Sequence, residues 1–247
     1  MAERLFIADL HLSAQRPEVT RLFRRFIQQR AQGLQALYIL GDLFDAWIGD
    51  DAMDAFDADI AGLLRGLTDR GSAVFLQHGN RDFLLGEAFC RLSGAQLLEE
   101  EQVLELGGER CLLLHGDLLC SDDQDYQRAR ALLRSPGFIA DFLAKTPQQR
   151  WEQAQEYRRR SGEATSLKPQ DIMDINPRTL QQMLERHRAR ILIHGHTHRP
   201  GIEMLSGQRQ RITLGDWRPE GAFCLSARPP DRSDKPSLQL ETFIFSG

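Results

Sequence analysis

Arg190-Ile191-Leu192-Ile193-His194-Gly195-His196-Thr197-His198 is an apolar run that stops abruptly in three histidines at every second position. The run reads as a buried strand. Alternation is the side-chain period of an extended chain, so His196 and His198 are expected to share one side and reach one object together. Two imidazoles suit a metal ion. The blander alternative is a strand with solvent-facing histidines at its end. The rest of the chain decides between the two.

Other apolar runs end the same way. Leu5 to Ala8 leads into Asp9-Leu10-His11, and Leu37 to Leu40 into Gly41-Asp42. Ala73 to Leu76 leads into Gln77-His78-Gly79-Asn80-Arg81-Asp82. Val103 to Leu106 and Cys111 to Leu114 flank Gly107-Gly108 as a hairpin, whose second strand delivers His115-Gly116-Asp117. Asp9 and His11 are expected to chelate from one face of an extended chain. Asn80 offers a neutral carbonyl oxygen that binds metal without adding charge, and Arg81 a planar fork for phosphate. His78, placed before the glycine, is expected to be structural. Asp45, Asp50, Asp51 and Asp54 read mainly as caps and loop residues.

Between these runs the spacing predicts helices from Pro17 to just before Gly33, over 54–69, and around Phe83 to Leu92. From Asp122 to Arg188 helical patterns broken by Pro136, Pro147, Pro169 and Pro177 replace strands. A segment that long is expected to be a helical insertion, about 122–188, in a single domain spanning 1–247. It leaves the sheet after His115 and returns before His196, so it should lie beside the chemistry. Strands at 211–214, 222–227 and 238–245 close the chain.

With 247 residues, 41% hydrophobic and 27% charged, the chain can bury one substantial core. A net charge of −4 argues against a protein that neutralises nucleic-acid phosphates over a broad face. Cys90, Cys111, Cys120 and Cys224 form no CxxC pair and sit in or beside apolar segments, which fits a reducing cytoplasm. The amino terminus turns acidic too soon for a signal peptide, and no apolar run approaches membrane-spanning length. Any membrane contact is expected to be peripheral.

Strand ends therefore carry Asp9 and His11, Asp42, Asn80, His115, and His196 and His198. Seven ligand-type residues exceed the needs of one ion, so a two-metal site is the economical reading. In this order D-x-H, G-D, G-N-R-D, H-G-D and G-H-T-H resemble the calcineurin-like metallophosphoesterase family. The resemblance implies an α/β fold, a two-sheet β-sandwich flanked by helices, with the insertion as a lid. It implies one metal held by Asp9, His11, Asp42 and His198, and a second by Asp42, Asn80, His115 and His196. His194, equivalent to the other two by spacing, becomes structural.

Much of the family has a histidine where this chain has Arg81, which favours charge stabilisation over acid catalysis here. Arg81, the run 41–51, the insertion and 168–174 resemble a branch of the family that hydrolyses UDP-2,3-diacylglucosamine in lipid A synthesis. That likeness implies release of UMP and 2,3-diacylglucosamine 1-phosphate by a hydroxide, activated by two divalent ions, most often Mn²⁺, attacking the α phosphorus. It implies catalytic roles for Asn80, Arg81 and His196, and substrate contacts from these and Asp123, Ser161, Thr165 and Lys168. Arg158, in the basic stretch of the insertion, is a further candidate for phosphate or sugar oxygens. A peripheral place on the cytoplasmic side of the bacterial inner membrane follows, with neither nucleic acid nor an obligate protein partner expected. Rival readings are a phosphodiesterase of soluble nucleotides and a non-catalytic scaffold; seven competent ligand positions count against the scaffold.

Overall fold

The computed structural model describes residues 3–166, 174–229 and 236–244, and of 161–166 the backbone alone. The chain opens with β1 (Arg4–Ile7), α1 (Pro17–Gln29), β2 (Ala36–Leu40), α2 (Ala55–Thr68), β3 (Ala73–Gln77), α3 (Glu87–Ser93) and the short β4 (Gln96–Leu97). These four strands pair in parallel, each joined to the next through a helix. The hairpin β5 (Gln102–Leu106) and β6 (Glu109–Leu113) follows, turning at Gly107 and Gly108, both at positive φ. Four helices come next: α4 (Gln124–Leu133), α5 (Pro136–Leu143), α6 (Pro147–Ser166) and α7 (Pro177–Arg186). β7 (Ile191–His194), β8 (Gly201–Leu205), β9 (Arg209–Thr213), β10 (Ala222–Arg228) and β11 (Ser237–Phe243) complete the described chain.

The strands form two sheets, in the orders β11-β10-β1-β2-β3-β4 and β5-β6-β7-β9-β8. Strand alternation assigns the cores. Leu5 and Ile7 join Phe23 and Phe26 of α1 on one face, whereas Phe6 and Ala8 meet Leu113 and Ile193 of the other sheet on the opposite face. Both faces of the central strands are covered, hence their unbroken apolar runs. A third core lies outside the second sheet, where Leu180, Met183 and Leu184 of α7 pack near Leu112 and Leu192.

α7 is thus a layer of the sandwich, and α4 to α6 form the part of the insertion that overhangs the strand ends. Two expectations shift. The helix expected from Phe83 starts at Glu87, because residues 82–85 form a turn and the Asp50 carboxylate accepts from the Gly86, Ala88 and Phe89 amides at the start of α3. β4 and β8 have no counterpart in the sequence reading: β4 is two residues long, and β8 is an edge strand whose Ile202 and Met204 stay exposed. No helix among the described residues is long and apolar enough to cross a membrane.

Candidate metal centre

The ligand-type residues lie just beyond the strand ends, not within extended chain. β1 stops at Ile7 and β7 at His194. Asp9 (φ 56°), His11 (49°), Asp42 (53°), His196 (67°) and His198 (54°) all adopt the left-handed conformation. The alternation argument for Asp9 with His11, and for His196 with His198, is thereby corrected: tight left-handed turns aim these side chains. Each such residue costs about 1–2 kcal/mol, so the surroundings must hold the turns in place.

Backbone and buried charge do so. Asp9 N donates to Gly41 O at 3.2 Å and His11 N to Asp42 O at 2.9 Å, lacing the first two loops together. Arg16 donates to His11 O at 3.1 Å and to Trp217 O at 3.1 Å. Asp82, 2% exposed, accepts from the Gly79 and Leu43 amides at 2.8 Å each and from the Asp42 and Phe44 amides at longer range. Glycine is required where loops touch: a β-carbon at Gly79 would strike the Asp42 carboxylate, and one at Gly195 would strike Asp9.

The side chains converge in two overlapping groups. Asp9, His11 and His198 offer ligand atoms within 4.8 Å of one another, as do Asp9, Asp42 and His115. Asp42 Oδ2 lies 3.8 Å from both His11 Nδ1 and His115 Nε2, between the two halves. Asn80 Oδ1 lies 3.0 Å from His115 Nε2 and 3.1 Å from His196 Nδ1. The ring orientations are fixed from behind. His115 Nδ1 faces Leu40 O at 2.9 Å, and His198 Nδ1 lies 3.7 Å from Asp216.

The electrostatics follow from burial. Burial pulls His11 and His196 down to about 4, so both rings are neutral near pH 7 with a lone pair free to coordinate. Burial likewise raises the Asp42 carboxyl, with Asp82 and Asp9 adding to the rise and His115 opposing it. Burial lowers His115 too, yet Asp42, Asp9 and Asp117 outweigh it and leave that ring raised. A divalent cation would displace the proton and bind the carboxylates.

The donor set fits divalent metal. Asp9 Oδ1 and His11 Nδ1 are buried without a hydrogen-bonding partner, 3.4 Å and 3.8 Å from His198 Nε2 and Asp42 Oδ2 respectively. Such orphans are costly unless an ion satisfies them. All candidate donors are nitrogen or oxygen. His194 and His78 stand apart: His194 is fully buried, with Thr213 Oγ1 3.0 Å from its Nε2, and His78 Nε2 meets Leu85 O at 2.7 Å.

Asn80 and Arg81 open from this cluster into a cavity of about 380 Å³ between the core loops and the insertion. Asp123, Phe138, Phe142, Tyr157 and Arg158 line its insertion side. Arg158 is paired with Asp45 at 2.7 Å, and Asp123 accepts from the Tyr126 amide as the N-cap of α4. The side chains of Ser161 and Thr165, and Lys168 altogether, lie outside the described residues. Of the four aspartates after Asp42, Asp50 and Asp54 cap helices, whereas Asp45 and Asp51 tie α6 to the core through Arg158 and Arg150.

Sequence reasoning assigned no role to Asp82, Asp117, Tyr126 or Asp216. The two aspartates beside the ligand motifs, Asp82 and Asp117, were the available signal, because a carboxylate adjoining a ligand loop often orients it.

Residues 4–200 match the model of the calcineurin-like phosphoesterase family. The chain is 48% identical over 222 residues to a UDP-2,3-diacylglucosamine hydrolase of Serratia proteamaculans, covering 89% of this chain and 92% of that one. It is 43% identical over 245 residues to a protein of the same name from Pseudomonas putida, covering 98% and 99%. Among solved structures it is similar to an archaeal phosphodiesterase, with a TM-score of 0.48, 10% identity, and coverage of 98% of this chain and 99% of that chain.

Proposed function

Because the chain belongs to the calcineurin-like phosphoesterase family and is a metal-dependent hydrolase, we propose that it cleaves UDP-2,3-diacylglucosamine to UMP and 2,3-diacylglucosamine 1-phosphate. The observation that carries this reading is a cavity lined both by Asn80 and Arg81 and by the apolar side chains Phe138 and Phe142. A diphosphate at one end and acyl chains at the other match that division. The name shared by relatives 43–48% identical supports the same substrate.

Asp9, His11, Asp42 and His198 would hold one ion, and Asp42, Asn80, His115 and His196 the second. When bound, two divalent ions supply Lewis acidity and lower the pKa of water toward neutrality. Mn²⁺ suits a donor set of oxygens and imidazoles that contains no thiolate.

The protein's own groups do the rest. Arg81 meets the phosphate oxygens with a fixed charge that disperses the growing negative charge of the transition state. His196 and Asn80, 3.1 Å apart, orient the phosphorus that bears uridine for in-line displacement. Asp123, Arg158, Ser161, Thr165 and Lys168 contact the substrate from the insertion. Phe138 and Phe142 shelter the acyl chains, and Tyr157 shares their wall. A substrate resident in a bilayer predicts peripheral attachment of the enzyme, here on the cytoplasmic side of the inner membrane.

Hydrolysis in ¹⁸O-labelled water tests the reading. Label is expected in UMP, the result of attack at the α phosphorus. Label in the sugar phosphate, or no UMP at all, contradicts it.

A further inference from the structure

Residue 117 gathers one face of the insertion's first helix onto the floor of the site. Its carboxylate is 2% exposed, and its Oδ2 accepts from the Tyr126 hydroxyl at 2.9 Å and from Arg130 Nε at 2.7 Å. Arg134 Nη2 stands 3.8 Å from the same oxygen and donates to Gly79 O at 2.9 Å. Gln127 Nε2 donates to the Asp117 carbonyl at 2.8 Å. Residues 126, 130 and 134 are spaced four apart, so they share one face of α4. All three line the cavity beside Asn80.

The other side of this junction is the metal centre. Gly116, with φ 128°, leaves no room for a β-carbon against the Gly195 carbonyl, with His194 and His196 close behind. The Tyr126 ring lies 6.0 Å, centroid to centroid, from that of His196. Asp117 thus joins a strand end that carries His115 to a helix that forms one wall of the cavity. Arg130 divides its donors between Asp117 and Glu100, to which Arg134 also donates, whereas the Tyr126 hydroxyl is directed at Asp117.

We propose that Asp117 is a positioning residue that seats α4 over the cavity and so sets the affinity for the acylated substrate. The inference rests on the substrate reading above. Its mechanism is geometric. The charge on Asp117 holds Arg130 and Tyr126 together, which fixes the distance between the cavity's insertion wall and Asn80. Asparagine fills the same space beside Gly116 but lacks the charge for Arg130 and keeps only one acceptor oxygen.

The test compares wild type with Asp117→Asn and with Tyr126→Phe, which removes one donor and leaves the carboxylate in place. The measurements are KM and kcat for UMP release, Mn²⁺ affinity of the metal-stripped protein by calorimetry, and amide hydrogen exchange over 124–133. In Asp117→Asn, KM is expected to rise about tenfold, the scale of one lost charge-assisted hydrogen bond. kcat should stay within about threefold, Mn²⁺ affinity should be unchanged, and exchange in α4 should quicken. Tyr126→Phe should move KM and exchange the same way by a smaller factor. An unmoved KM with unmoved exchange overturns the proposal, as does a loss confined to kcat or Mn²⁺ affinity. If wild type itself releases no UMP, the substrate reading fails, and exchange in α4 alone decides whether Asp117 seats the helix.

Discussion

Arg81 carries a heavy demand for a side chain that coordinates nothing. Its amide donates to Asp42 Oδ1 at 2.8 Å, so the guanidinium departs from the metal centre at a fixed place. Arg81→Ala is predicted to lower kcat about 10²-fold, and Arg81→Lys to recover part of the loss, since a point charge replaces the fork without its geometry. Steady-state kinetics of UMP release checks both. Far from the site, Glu3 accepts from Arg30, Ser226 and Arg228. Burial raises its carboxyl, but these donors prevail and bring it from 4.5 to about 2. A lowered folded pKa stabilises fully above 4.5, and the stabilisation is lost as pH falls from there through 2. Urea unfolding of Glu3→Gln should therefore show its full deficit at pH 6 and converge on wild type toward pH 2. The metal-ligand types were legible because Asp, Asn and His were set at the ends of apolar runs. The roles of Asp82 and Asp117 were not, because Asp82 is met by amides some 40 positions away, and Asp117 draws its partners from the next helix.

At the scale of elements, α6 is held by two ion pairs: Arg150 with Asp51 and the Ile48 carbonyl, and Arg158 with Asp45. Arg150 is 1% exposed, so its truncation leaves a space behind and takes the donor from the half-buried Ile48 carbonyl, while Asp51 turns to solvent. Arg150→Ala is predicted to destabilise by about 2 kcal/mol through the lost packing and the lost bond to Ile48, read from the urea midpoint. The Asp54 capping box at α2 is solvent-exposed, and Asp54→Ala should cost about 1 kcal/mol with UMP release unaffected. The central strands were legible as unbroken apolar runs, and α1 by apolar residues recurring three and four positions apart. Edge strand β8 and the late start of α3 were not, since the first buries little and the second is set by Asp50, a residue distant in sequence.

At the scale of the molecule, two sheets meet so that each supplies half of one site. Asp9, Asp42 and Asn80 follow strands of the first sheet, while His115, His196 and His198 follow strands of the second. Neither sheet alone brings enough ligands for two ions, and the interlayer core of Phe6, Leu40, Leu113 and Ile193 holds the halves in register. The gathering of strand ends on one edge was legible from the repeated pattern. The left-handed turns that aim the ligands were not, because five non-glycine residues at positive φ run against local preference. The most direct test of a metal-dependent diphosphatase is titration of metal-stripped protein with Mn²⁺ while UMP release from UDP-2,3-diacylglucosamine is followed. Release should be absent without metal and should saturate as two ions bind per chain. UMP release that persists without metal, or none at any Mn²⁺ concentration, would contradict the account.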